Sequence, residues 1–184
     1  IERHTPSTKK KGLLYLGPLG MSRPEIIRHR LRLIESYRSP KGRQILVLLP
    51  QVHKKPYHTS PQLASLSTIL RDRRIHVCIY GSPYGVVPLE IDDVYPLSQT
   101  ESPTPVDLET ESHCAKIVQE HVASSNYETI VLHATSDPLS RRLIPSLRRF
   151  SRETKTRFTI SYKGDSPWRK DAVKALSNAA RRVR

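Results

Sequence analysis

Cysteine is scarce in this chain: Cys78 lies within an apolar run and Cys114 in a segment of helical pattern. Two thiols so differently placed exclude a disulfide framework and a zinc site, which leaves buried thiols in a reducing, cytoplasmic compartment. Long hydrophobic runs are missing as well. No stretch approaches the ~20 apolar residues that cross a bilayer, and residues 1–11 are polar, without the hydrophobic region of a secretory signal. Neither end has the Trp, Phe and Leu face that lets a basic helix settle into a bilayer interface, so a membrane is not an expected partner. At 184 residues the chain has room for one ordinary core and not for two. One soluble domain with basic extensions is the expectation.

Acidic residues are outnumbered, 17 against 31 Lys and Arg, for a formal charge of +14. The imbalance is segregated. Residues 1–43 carry 11 basic and 3 acidic side chains, residues 44–138 carry 6 and 11, and residues 139–184 carry 14 and 3, with nets of +8, −5 and +11. Charge that merely solubilises would be mixed through the chain, whereas basic ends around an acidic middle point to a polyanion. Lys9, Lys10 and Lys11 at one end, and Arg181, Arg182 and Arg184 at the other, are the first candidate RNA contacts.

Hydrophobic spacing sets out the elements. Residues 1–12 lack periodicity and read as an arm. From Pro24 a helix is expected, with Ile26, Ile27, Leu31, Ile34 and Tyr37 packed inward and Arg28, Arg30 and Arg32 on the other faces. Residues 44–49 form an apolar strand stopped by Pro50, residues 60–70 a helix burying Leu63, Leu66, Ile69 and Leu70, and residues 74–80 a second strand. A proline-rich passage through residues 81–105 cannot be regular helix. Residues 108–123 return to helical spacing, and residues 128–133 give a third strand. Asp137 then caps a helix to about residue 152, which shows Arg141, Arg142, Arg148, Arg149 and Arg152 outward and should kink at Pro145. A fourth strand at residues 157–162 and a terminal helix burying Trp168, Val173 and Leu176 complete the alternation.

Four apolar strands alternating with helices predict an α/β fold, a parallel sheet covered on both faces, with ligands beyond the carboxyl ends of the strands. The expected organisation is a basic arm at residues 1–22, an α/β domain at 23–165 and a basic helix and tail at 166–184.

The loop after the first strand carries Pro50, then Lys55-Pro56-Tyr57, then Ser60. This spacing resembles the signature of the archaeosine synthase family, archaeal enzymes that modify a deazaguanine base in tRNA. In that signature a cysteine follows the proline and a histidine comes three residues after the serine; here Gln51 and Leu63 stand at those positions. Ser82-Pro83-Tyr84-Gly85-Val86-Val87-Pro88, continuing through Glu90, Asp93 and Tyr95-Pro96, is similar to the family's second motif. Arg23-Pro24-Glu25 and the basic run up to Arg43 are similar to its lead-in. Beyond Pro96 the match fades, since residues 99–105 lack the expected His-Tyr-Asp run. The resemblance implies a three-layer αβα fold around four parallel strands, similar to uracil-DNA glycosylase. It also implies a task, the addition of lysine to a nitrile on the base through a cysteine thioimide.

Glutamine is neither nucleophilic nor titratable, so covalent catalysis at position 51 is excluded, and Cys78 lies within a strand rather than at its end. The expected function is therefore a non-catalytic RNA-binding protein of the ribosome or bound to it, with rRNA favoured over tRNA and ribosomal proteins as neighbours. The alternative is a tRNA-modifying enzyme or subunit working with a transglycosylase-like partner. No cofactor and no metal are expected. His53 and His58 lack a third ligand nearby and read as RNA-facing or solvated, and Asp92-Asp93 as turn caps. Lys54 and Lys55 read as phosphate contacts. Tyr57, Tyr84 and Tyr95 are divided evenly between stacking on bases and wedging loops together.

Overall fold

The structure is a computed structural model that describes residues 20–98 and 107–182. Lys9, Lys10, Lys11, Arg184 and the passage at 99–105 lie outside the described residues. The five strands are β1 (Ile45–Pro50), β2 (Ile75–Gly81), β3 (Gly85–Pro88), β4 (Thr129–Ala134) and β5 (Arg157–Lys163). They form one sheet in the order β3-β2-β1-β4-β5. Four of them are parallel, β1 flanked by β2 and β4, and β4 by β5.

The sheet thus has five strands and not the expected four. The extra one, β3, returns antiparallel along β2 from Gly81↔Gly85 to Cys78↔Pro88. Its four residues follow one proline and end on another, so it carries no readable strand pattern. Pro88 is tolerable because an edge strand leaves one side of its backbone unpaired. Gly85 makes the turn: its φ is +72°, and a Cβ there would lie 2.7 Å from Ile117 Cβ and 2.9 Å from the Cys114 carbonyl oxygen.

The helices are α1 (Pro24–Leu31, continued by a π-helical turn at Arg32–Ser36), α2 (Pro61–Ala64), α3 (Ser67–Leu70), α4 (Leu108–Ala123), α5 (Pro138–Glu153) and α6 (Lys170–Arg181). Among the described residues no helix is long and apolar enough to cross a membrane. α2, α3 and α6 pack on one face of the sheet through Leu63, Leu66, Ile69, Leu176 and Ala180 against Val47, Leu49 and Val77. α4 and α5 pack on the other through Cys114, Ile117, Val118, Leu143 and Leu147 against Leu46, Leu48 and Leu132. The result is a three-layer αβα arrangement. Both Cys78 and Cys114 are free and buried.

Two local expectations are revised. The helix at residues 60–70 is two short ones broken at Ser65-Leu66, with Ser60 Oγ capping the first by accepting from Leu63 N at 3.3 Å. α1 turns a different face inward: Ile26, His29 and Leu33 are buried, while Ile27, Leu31 and Ile34 are 46, 45 and 39% exposed. Both triplets have helical spacing. His29 decides between them, because its Nε2 lies 2.7 Å from the Val86 carbonyl oxygen and covers the open edge of β3.

Gly85→Ala should lower stability by about 2 kcal/mol or more, since strain at positive φ and the clash with α4 both act. A fall in Tm of about 4–8 °C is expected for a chain of this size, and an unchanged melting curve would contradict this account of the turn.

Candidate functional site

The connection leaving β1, through α2 and α3, lies on one face of the sheet, and the connection leaving β4, through α5, lies on the other. Where neighbouring parallel strands send their chains to opposite faces, a crevice opens beyond their carboxyl ends. A cleft of about 600 Å³ sits there. Pro50, Gln51 and His53 enter it from β1, Gly81 and Ser82 from β2, Thr135, Ser136 and Asp137 from β4, and Asp165 from beyond β5. Glu111 on α4 and Arg141 on α5 complete the wall.

Gln51 lies across Gly81, where a Cβ would come within 2.2 Å of its Oε1 and 2.9 Å of its Cβ. Its backbone N–H donates to the Tyr80 carbonyl at 3.0 Å, which extends the ladder one residue past β1 and leaves the side chain exposed over the cleft. The opposite wall is held by Ser140. Its hydroxyl donates to Asp137 Oδ2 at 2.9 Å, accepts from Thr135 N at 3.1 Å and lies 2.6 Å from the Tyr80 hydroxyl. Asp137 Oδ1 also caps α5 by accepting from Ser140 N at 2.9 Å. Burial pushes the Tyr80 phenol up, so it is a hydrogen-bonding group and not an acid at neutral pH. Arg141 Nε donates to the Ser136 carbonyl at 2.9 Å, which steers its exposed guanidinium along the rim. The acids of the wall are Glu111, Asp137 and Asp165 against Arg141, so the cleft is not a phosphate site by charge.

The signature loop places its residues differently from a substrate cradle. Tyr57 and Tyr84 are 2 and 1% exposed, and Lys55 Nζ lies 5.1 Å from the centroid of each ring. These two tyrosines therefore wedge the loops together and have no face for a base, whereas Tyr95 is exposed. Leu63, at the family's histidine position, is fully buried in the core. His58 is not simply solvated: its Nδ1 lies 2.6 Å from Asp92 Oδ1, and its backbone N–H donates to Asp92 Oδ2 at 2.8 Å. Asp92 is buried and anchors that turn. Lys54 is exposed. Of the candidate arginines, Arg28, Arg32, Arg148 and Arg152 are exposed. Arg30 is forked onto Glu120 at 2.6 and 2.9 Å, Arg142 lies 3.9 Å from Glu111, and Arg149 pairs with Glu153 at 2.7 Å.

A second polar cluster lies beneath the sheet. His76, Cys78 and His121 bring potential ligand atoms within 4.8 Å of one another. Their geometry does not converge on a metal. Cys78 Sγ is 3.6 Å from Nε2 and 3.9 Å from Nδ1 of His76, so it sits to the side of both lone-pair directions. Both nitrogens are engaged elsewhere, Nδ1 by the Tyr127 hydroxyl and Nε2 by the Tyr37 hydroxyl at 3.0 Å and Glu90 at 3.1 Å. Burial raises the Cys78 thiol well above its ordinary value, favouring S–H over thiolate. The cluster is a hydrogen-bonded core network.

Residues 26–180 match the model of a family described as a domain of unknown function, DUF5591. The chain is 39% identical over 109 residues to a tRNA-guanine(15) transglycosylase of Methanococcus maripaludis, a match covering 59% of this chain and 15% of that one. The corresponding protein of Pyrobaculum aerophilum is 32% identical over 148 residues, 79% of this chain and 28% of that one. That of Methanococcus vannielii is 32% identical over 163 residues, 83% and 23%. The chain therefore spans well under a third of the length of these relatives. The crystal structure of AF0587, a protein of unknown function, superposes with a TM-score of 0.59 at 20% identity over 82% of this chain and 48% of that one, a likeness of fold.

Burial disfavours the charged form of His29, His121 and His133. It pulls His29 down to about 4 and His121 down to about 3, and lowers His133, whose Nε2 lies 2.6 Å from the Pro167 carbonyl oxygen. Above pH ~6.5 these groups are neutral folded or unfolded and cost nothing; below it the unfolded chain takes up protons that the folded one refuses. Stability should then fall between pH ~6.5 and ~4, with His29 alone contributing about 3 kcal/mol by the lower limit. Urea midpoints at pH 7, 5.5 and 4.5 measure this, and His29→Gln should flatten the profile. A wild-type profile already flat across that range would refute it.

Proposed function

We propose, from the membership of this chain in the DUF5591 family, that the domain serves tRNA modification by holding one base of a tRNA in the cleft. The observation that carries this reading is Gln51, which the signature loop sets in the cleft wall at the position where the archaeosine-synthase resemblance implies the nucleophile. A volume of about 600 Å³ suits a purine-sized group. The Gln51 amide can donate to the nitrile nitrogen, and the Asp165 carboxylate can accept from the N–H-rich edge of a guanine-type base. The likeness to uracil-DNA glycosylase belongs to this reading, since both would handle a base removed from its stack.

The relatives bear names of tRNA-guanine enzymes, which favours tRNA; rRNA and ribosomal proteins gain no support from them, and the ribosomal reading is set aside. The matched region is a small part of those relatives, so a transglycosylase-like unit would supply the rest of the reaction. Arg28, Arg32, Arg141, Arg148 and Arg152, all exposed, remain proposed RNA contacts.

A second reading, catalysis in this cleft, is favoured by His53 and Asp165 in its wall. Without a thiolate, the lysine amine would attack the nitrile carbon directly. The new C–N bond forms as one nitrile π bond breaks, and a proton moves from the amine to the nitrile nitrogen, leaving an amidine. His53 and Asp165 would carry that proton.

The test compares tRNA bearing the nitrile base with the same tRNA bearing guanine. The modified tRNA should bind more tightly, and Gln51→Ala should reduce the difference by about 3–10-fold, the worth of one neutral hydrogen bond. Equal affinities for the two RNAs would sink the proposal. A mass increase of the nucleoside with lysine present would establish the second reading. Gln51→Cys should trap the nitrile base covalently if position 51 faces the reacting carbon.

A further inference from the structure

Base recognition in a cleft lined by Glu111, Asp137 and Asp165 leaves the RNA backbone unaccounted for. Resting on the RNA reading above, we propose that the opposite end of the sheet, where the parallel strands begin, grips phosphates of the same RNA through Arg71, Arg73, Arg157, Arg181 and Arg182. These residues are scattered in sequence, and two of them, Arg71 and Arg73, stand in the segment with a net acidic charge. The fold gathers them because β2 begins just after Arg71 and Arg73, β5 begins on Arg157, and α6 runs back down the sheet to end at Arg181.

Two grooves hold three of them, Arg157, Arg181 and Arg182. One of about 410 Å³ runs between the start of β2 and α6 and holds Arg74 and Arg181 with Asp72, Thr68 and Ser177. The other, about 550 Å³, lies on the far side of the same helix and holds Arg157 and Arg182 with Thr159, Ser161 and Asn178. The last turn of α6 is thus a ridge with arginines in the furrow on each side.

The charge is unbalanced. Arg74 is taken by Asp72 at 2.7 Å and Arg149 by Glu153 at 2.7 Å. Arg71, Arg73, Arg157, Arg181 and Arg182 are exposed and have no ion pair among the described residues, with Glu128 the exposed carboxylate that remains nearby in the sheet. Cations at the carboxyl end of a long helix are favoured by its dipole, which accounts for Arg181 and Arg182. It does not account for Arg73 and Arg157, which stand at strand entrances. The residues are arginines and not lysines, the choice for bidentate contact with phosphate.

A protein partner fits less well. Among the described residues the exposed large apolar ones are Ile27, Leu31, Ile34, Val94, Tyr95 and Leu108, and none of them lines either groove. Protein interfaces are built around apolar and aromatic centres, whereas nucleic-acid interfaces are polar and strongly positive. Seven-residue strands put this face roughly 20 Å from the cleft. A folded RNA spans that distance, and a trinucleotide does not.

The experiment measures binding of an unmodified tRNA transcript to the whole chain between 50 and 300 mM KCl. The variant carries R71A, R73A, R157A and R182A, all at exposed positions, and its melting curve is recorded alongside. Affinity near 150 mM should fall at least 10-fold, and the slope of log Kd against log salt should lose about 3 for four phosphate contacts. A trinucleotide should bind wild type and variant alike. Lysine at the same four positions should restore most of the slope, which distinguishes lost charge from lost folding. Unchanged affinity and slope in the alanine variant, with wild type binding, would overturn this inference alone; failure of the wild type to bind tRNA would overturn the functional reading with it. Unchanged RNA binding with weakened association to a protein would assign the face to that class of partner and also overturn it.

Discussion

Strand β1 is shut off from water on both faces from Ile45 to Pro50, and it is paired with β2 along that length and with β4 from Ile45 to Leu48. Such a strand has no side on which to carry a solvated polar group. Leu46, Val47, Leu48 and Leu49 are fully buried, each worth about 1.5–3 kcal/mol in removal from water. The same restriction holds for β2 and β4, buried along nearly their whole length. Polar chemistry is thereby expelled to the two ends of the sheet, and the molecule becomes a device with two poles. Hydroxyls, an amide and carboxylates collect at one pole, where neighbouring chains part. Guanidinium groups collect at the other, where chains enter.

The exceptions inside show what a buried polar group needs. His76 is admitted because both of its nitrogens meet partners, Tyr127 on one side and Tyr37 with Glu90 on the other. His133 is admitted because β5 carries an extra residue at Ser161, whose hydroxyl lies 2.9 Å from Nδ1 while Pro167 takes Nε2. In each case the ring is a cross-brace between elements, and burial lowers the basicity of His133.

Much of this was legible in the order of residues. β1, β2 and β4 announce themselves as largely apolar runs, β5 as an alternation through Phe158, Ile160 and Tyr162, and Asp137 stands where a helix cap should. The signature loop located Gln51 and the cleft's first wall. What stayed hidden depends on which strands become neighbours. Glu111 and Asp165 reach the cleft from far along the chain and belong to no motif. Arg71 and Arg73 were masked by the acids around them, because a segment's net charge says nothing of which end of a sheet its loops occupy. The inward face of α1 was misread because hydrophobic spacing assigns His29 to solvent, whereas a carbonyl on β3 made it a core residue. Tyr57 and Tyr84 sit in a loop by sequence and in the core by packing.

That contact between His29 and Val86 also bears on how the molecule behaves in a crowd. A sheet has two margins, and each is a template for pairing with another chain unless something prevents it. On the β3 side an imidazole occupies the Val86 carbonyl and α1 stands in the way of an incoming strand. On the β5 side the guard is electrical, with Arg157 and Lys163 exposed at the two ends of the strand. Loss of the histidine would therefore do more than weaken one helix: it would uncover a short hydrophobic ribbon and turn that margin into a seed for aggregation.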